Sequence, residues 1–209
     1  LVAEYELSAD DQTVTAEDHH EIAAEMRTWL NKIQPHCGYM ADIIDTVKGQ
    51  AMTFSNSTAI SFSINELVKR IELLLKYELT RSGCTLVTDV KVDSSTELFG
   101  DINSLIQVFD NIIINAIQAY EGKKGRIELT IEEVDESILF SVKDYAKGIP
   151  YRVRDKLLKE MVTTKGTAGT GLGLYMSCST IKARFEGKMW FKTTEGKGTT
   201  FYVQIPRQK

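Results

Sequence analysis

The stretch "TTKGTAGTGLGLYMS", residues 163–177, sets four glycines within eight positions directly ahead of a run with helical character. Glycine loses more conformational freedom on folding than any other residue, so such clustering implies a use for bare backbone. Two uses fit: a hinged lid, or close approach of backbone N–H groups to a phosphate at a helix N-terminus, where the helix dipole favours an anion. Thr163, Thr164 and Lys165 lead into the segment, and a lysine there is a natural point charge for a terminal phosphate. Neither familiar nucleotide fingerprint is present: no G-x-x-x-x-G-K-[ST] occurs, and Gly169, Gly171 and Gly173 read G-x-G-x-G.

Two further polar features stand out against apolar surroundings. Asn111 and Asn115 lie four apart, on one helical face of "DNIIINAI". A buried amide without a partner costs about 1–3 kcal/mol. The pair is therefore either satisfied within the core or presents neutral oxygens to a hard cation such as Mg2+, which retains waters and is shared with nucleotide phosphates. Asp144 closes the strand-like "ILFSVKD" ahead of "YAKGIP". It is either an ordinary exposed strand end or an acceptor for an exocyclic amine on a flat ligand, which a turn containing Ala146, Gly148 and Pro150 would bring close.

These residues need elements to position them. Residues 1–16 read as an acidic loop or helix end. From about Glu17, the residues Ile22, Met26, Trp29, Ile33, Cys37, Met40, Ile44 and Val47 recur at steps of four and three, the seam of a coiled coil, with Pro35 expected to kink the helix. The Ser-, Thr- and Gly-rich "GQAMTFSNSTAISF" reads as a connector. A helix, "INELVKRIELLLKYELTRSG", is expected next, with its N-cap at Asn65 and its stop at Gly83. There follow a strand "CTLVTDVKV", a helix capped by Asp101 through "INSLIQVFDNIIINAIQAY", and strands "RIELTIEEV" and "SILFSVKDY". After the glycine segment and its helix comes a hairpin of "GKMWFKTT" and "TTFYVQI". Three helices against a mixed sheet of about five strands predict an α+β fold, a two-layer α/β sandwich preceded by a long dimerisation helix. Residues 1–56 are assigned to the helical region and linker, and 57–209 to the second domain.

Composition narrows the options. The chain has 209 residues, 43% of them hydrophobic and 26% charged, with a net charge of −4 and dispersed Lys and Arg. This is ordinary for a soluble globular protein, and no nucleic-acid partner is indicated. No apolar run approaches the roughly 20 residues that span a bilayer. The chain opens at Leu1, so it is expected to be a fragment, with any membrane contact supplied by upstream segments. Cys37, Cys84 and Cys178 form no metal-ligand pattern with His19, His20 or His36, and read as reduced thiols in a cytosolic compartment.

Taken together and in order, "QVFDNIIINAIQAY", "DYAKGIP", "TTKGTAGTGLGLYMS" and "GKGTTFYVQIP" resemble the N box, G1 box, lid with G2 box, and closing hairpin of the histidine-kinase branch of the GHKL ATPases. That superfamily also holds gyrase, Hsp90 and MutL. The similarity runs over residues 63–207, and the heptad helix resembles the second helix of the phosphotransfer hairpin. The resemblance implies a Bergerat-type ATP-binding fold. It places Asn111 and Asn115 at the metal and triphosphate, with Asn115 coordinating Mg2+, and Asp144 on the adenine amino group, helped by Gly148 and Thr199. Lys165 would reach the terminal phosphate beside Thr164, and Gly169, Thr170, Gly171, Leu172 and Gly173 would lie along the phosphates. Asn111, Asn115 and Lys165 are the implied catalytic residues.

The implied reaction moves the terminal phosphoryl group of ATP to a histidine and on to a response regulator. It would run in the cytoplasm, in a homodimer joined through the heptad helix. Ala146 replaces a glycine of the G1 pattern, Gln118 stands where many members carry lysine, and Leu158 and Met161 stand where the lid often has phenylalanine. The acceptor is not evident. "HHEIAAEM" contains a His-Glu pair at His20 but lacks the proline usual five places on, so the acceptor is expected upstream of Leu1. An ATP-binding regulatory module that transfers nothing is the alternative. A gyrase- or MutL-like ATPase is disfavoured, because Asp110 and Asn111 occupy the region where that branch carries a catalytic glutamate.

Overall fold

The computed structural model describes residue 5 and residues 14–31, 33, 59–93, 96–159 and 172–207. Residues 16–31 form helix α1. Thr15 and Asp18 close its start as a capping box: the Thr15 N–H and hydroxyl donate to Asp18 Oδ2 at 2.7 and 2.6 Å, and the Asp18 N–H donates back to Thr15 Oγ1 at 3.3 Å. Of the predicted seam, Ile22, Met26, Trp29 and Ile33 are described, and Trp29 and Ile33 are exposed. Cys37, Met40, Ile44, Val47 and Pro35 lie outside the described residues.

The order that follows is β1 (Ile60–Ser63), α2 (Ile64–Ser82), β2 (Thr85–Val90), β3 (Glu97–Gly100), α3 (Ile102–Ala119), β4 (Arg126–Val134), β5 (Ser137–Asp144), the single turn α4 (Tyr151–Arg154), α5 (Leu172–Phe185), β6 (Lys188–Thr194) and β7 (Gly198–Pro206). Two details correct the sequence reading. The end of the expected connector forms β1, which pairs antiparallel with β3, a strand also not anticipated. Both have four residues, too few for alternation to register. The N-cap of α2 is Ser63 rather than Asn65: Ser63 is extended and its Oγ accepts the Glu66 N–H at 3.1 Å, whereas Asn65 already lies in the first turn. The C-terminus ends as predicted, at Gly83 with φ +68°.

The five-stranded sheet has the order β2-β4-β5-β7-β6, with β2 parallel to β4 and every other pair antiparallel. This is the predicted mixed sheet. Alternation buries Ile127, Leu129 and Ile131 of β4, Ile138, Phe140 and Val142 of β5, and Phe201, Val203 and Ile205 of β7. Against that face pack Leu67, Ile71 and Leu75 of α2, Leu105, Phe109, Ile112 and Ile113 of α3, and Ile181 and Phe185 of α5. Burying each such side chain contributes about 1.5–3 kcal/mol. Phe109 and Phe140 meet at the centre with ring centroids 4.9 Å apart. The same alternation carries Asp144, two residues beyond Val142, onto the inner face at the mouth of the core.

Two contacts fix the C-terminal end of α5 against β3 and the start of α3. The Arg184 guanidinium donates to Asp101 Oδ2 at 3.3 Å and to Ser104 Oγ at 2.9 Å, which ties the end of α5 to the start of α3. Gly100, at φ +148°, gives way to the Phe185 ring, which a Cβ there would meet at 2.6 Å.

Candidate functional site

The C-terminal end of β5 carries a buried acid. Asp144 is 4% exposed, and its Oδ1 accepts the N–H groups of Ala146 at 3.0 Å and Thr199 at 3.3 Å. Burial pushes its carboxyl above the ordinary value, and the backbone N–H groups of Ala146, Thr199 and Asp144 itself pull it partly back. Among the described residues no other residue donates to Oδ2. An amine brought to that oxygen would stabilise a charge that the fold has withdrawn from water.

The turn beyond Asp144 is laced onto the β6–β7 turn. Ile149 N–H donates to Thr193 Oγ1 at 2.9 Å, and Gly196 N–H donates to Lys147 O at 2.7 Å. Gly148, at φ +70°, lies so close that a Cβ would stand 2.4 Å from Thr194 O. No other residue type fits there without moving backbone. Ala146 is buried, and its methyl is accommodated in place of the glycine of the family pattern. Tyr120, the C-cap of α3, joins the turn to the N box: its hydroxyl accepts the Tyr145 N–H at 2.9 Å and donates to Arg126 O at 2.5 Å.

Asn111 and Asn115 stand half-buried on α3. Asn115 Nδ2 donates to Asn111 O at 2.6 Å, and Asn111 Nδ2 donates to Ser177 Oγ on α5 at 3.1 Å. Each amide nitrogen thus donates within the protein. Gly173, in the first turn of α5, lies against Asn111, where a Cβ would come within 3.1 Å of Oδ1. Among the described residues no cluster of three or more His, Cys, Asp or Glu could hold a metal ion. Neutral amide oxygens suit a hard cation that takes its other ligands from phosphate and water. The donor set therefore fits Mg2+ shared with a nucleotide.

The structure brings Asp144, Gly148 and Thr199 together at one end, and Asn111, Gly173 and the start of α5 at Leu172 at the other. Thr164, Lys165, Gly169, Thr170, Gly171 and Met161 lie outside the described residues. Leu158 packs against the core, Gln118 is exposed, and His20 is exposed on α1. Three participants escaped the sequence reading: Thr193, Ser177 and Tyr120. Two had a signal. Thr193 follows Met189 and Phe191 on the inner face of β6, and Ser177 precedes Ile181 and Phe185 on the buried stripe of α5, so each is a polar residue at an apolar position.

Comparison with known proteins agrees with this fold. The family model described as "Histidine kinase-, DNA gyrase B-, and HSP90-like ATPase" matches residues 100–209. Sporulation kinase C of Bacillus subtilis is 31% identical over 166 residues, covering 78% of this chain and 38% of that kinase. Sporulation kinase A of the same organism is 30% identical over 153 residues, covering 73% of this chain and 25% of that kinase. The chain therefore spans well under half of either relative. Among solved structures, the nucleotide-free catalytic domain of histidine kinase ThkA is similar at a TM-score of 0.63 and 27% identity, over 72% of this chain and 96% of that domain. From the N box on α3 to the hairpin that completes the sheet, the chain belongs to the family of histidine kinase-, DNA gyrase B- and HSP90-like ATPases.

Proposed function

We propose that this chain binds Mg2+–ATP and passes the terminal phosphoryl group to a histidine, from which it moves to an aspartate of a response regulator. The observation that carries the reading is Asp144: a buried carboxyl with one oxygen committed to two backbone N–H groups, at the end of a strand and flanked by a glycine-bearing turn. Its second oxygen suits the exocyclic amine of adenine. Thr199 and Gly148 bound the base on either side. Asn111 and Asn115 orient amide oxygens toward the phosphates, and Asn115 is the proposed ligand to the metal. Mg2+, when bound, neutralises charge on the transferring group. Lys165 and Thr164 are assigned to the terminal phosphate, and the backbone from Gly169 through Thr170, Gly171 and Leu172 to Gly173 to the phosphate chain. Such catalysis is chiefly positioning, because holding donor and acceptor together supplies most of the rate.

The exposed apolar side chains of Trp29 on α1, at 48%, and of Ile33 beyond it, at 50%, support pairing with the same segment of a second copy; we assign the chain to the cytoplasm. The kinase reading is tested with labelled ATP, using the chain alone and the chain mixed with a polypeptide bearing a phosphotransfer hairpin. The expected result is tight Mg2+-dependent binding and an acid-labile, base-stable label on the added polypeptide. No nucleotide binding by the folded chain would overturn the reading. Label on the chain itself that vanishes in His20→Gln would make His20 the acceptor.

A further inference from the structure

We propose that Thr193 is a positioning residue for base recognition: one hydroxyl that fixes the turn after Asp144 and sets the hydroxyl of Thr199 beside it. The proposal rests on the nucleotide reading above and goes beyond it, because Thr193 is one step removed from the base.

Three groups converge on Thr193 Oγ1. The Ile149 N–H donates to it at 2.9 Å, Gly198 O lies at 3.1 Å, and Thr199 Oγ1 lies at 3.0 Å. A hydroxyl has one proton and two lone pairs, so the bonds can be counted. Ile149 occupies one lone pair. The proton goes either to Gly198 O or to Thr199 Oγ1. In the first case the Thr199 hydroxyl donates to Thr193 and turns only lone pairs to the pocket. In the second, the Thr199 proton is released toward the pocket. Both arrangements hold the oxygen of Thr199 in one place while leaving it able to accept or to donate.

Thr199 is also the residue whose N–H holds Asp144 Oδ1, and it is itself 5% exposed. It stands directly opposite Thr193 in the β6–β7 register. Thr193 is therefore linked to the acid on two sides: through Thr199 to its carboxylate, and through Ile149 to the turn that follows it. A methyl in place of this hydroxyl keeps the shape and removes all three bonds. The carboxylate then loses the fixed pose that an exocyclic amine must meet, whereas contacts with the phosphates are untouched.

The test compares ATP with purine riboside triphosphate, which has hydrogen in place of the 6-amino group, by calorimetry on the wild-type chain and on Thr193→Val and Thr193→Ser. The wild type is expected to prefer ATP. Thr193→Val should lose roughly tenfold in ATP affinity while the affinity for the analogue stays nearly constant, as expected for about one lost hydrogen bond. Thr193→Ser should restore the preference. Equal loss for both nucleotides, an unchanged preference in Thr193→Val, or failure of serine to rescue would overturn the proposal. Thermal melting reports whether the valine variant folds, and Thr193→Ala carries the same comparison if it does not. A wild-type chain that binds neither nucleotide overturns the nucleotide reading itself, and the role of Thr193 with it.

Discussion

Asp144, its following turn and the β6–β7 hairpin are laced together by backbone and side-chain hydrogen bonds, whereas Asn111, whose backbone oxygen accepts from Asn115, meets α5 through its bond to Ser177 and the close approach of Gly173. The first set is strung between strands of one sheet and the turns that leave them. The second spans two helices joined mainly by side-chain packing. On the nucleotide reading proposed above, selection of the base and handling of the phosphates would be separable, and changes at one end should leave the other measurable.

The sharpest break is Asp144→Asn. It keeps an oxygen for the two backbone donors but replaces the oxygen that an amine would meet with a second donor. ATP affinity should fall by about 10- to 100-fold, as for loss of a charged hydrogen bond, while the melting temperature holds or rises because a desolvated charge is gone. Calorimetry and thermal melting together check it. Unchanged affinity in a folded variant would remove Asp144 from the site. Next comes Gly148→Ala. With φ at +70° and Thr194 O only 2.4 Å from the new Cβ, it should destabilise the domain by roughly 1–3 kcal/mol, read by denaturant unfolding. An effect below 0.5 kcal/mol would mean that the turn is not braced as the hydrogen bonds imply.

At the phosphate end, Asn115→Ala should remove most of the Mg2+ dependence of nucleotide binding and of transfer, with a smaller effect on metal-free binding of the base. Titrations with and without Mg2+ distinguish the two, and full metal dependence in the variant would return Asn115 to a purely structural role. The smallest effect concerns pH. Burial raises the carboxyls of both Asp144 and Asp110, the latter with help from Glu78. A group whose folded pKa lies above its unfolded value favours the protonated fold, so the contribution of these two groups to stability should be greatest below the unfolded carboxylate range and decline as pH rises through the raised folded values. Thermal melts from about pH 4 to pH 7 read this, and Asp144→Asn and Asp110→Asn should each flatten part of the slope. A slope unchanged in both variants would contradict the burial seen here.

The helices and long strands were legible because their apolar periods are long: α3 repeats its buried face over five turns, and β4 and β5 alternate over nine and eight residues. β1 and β3 were not, since four residues cannot establish a period. The site divided in the same way. Asp144, Asn111 and Asn115 were visible as polar residues in apolar company. The knot around Thr193 was hidden, because its partners Ile149 and Gly198 enter through backbone atoms, which any sequence would supply.

The strand order has a bearing on how copies of this chain can meet. Among the described residues β2 and β6 are the outer strands of the five-stranded sheet, and an outer strand is a template on which another strand can add. On β6, the exposed Lys188 and Lys192 flank Trp190, so a second β6 laid alongside would bring ammonium groups against one another. Beside β2, Asp89 and Lys91 form an exposed ion pair at 3.7 Å that would have to be disrupted. Growth by strand addition is discouraged at both margins, so the pairing through α1 proposed above would close on itself rather than run on into fibres.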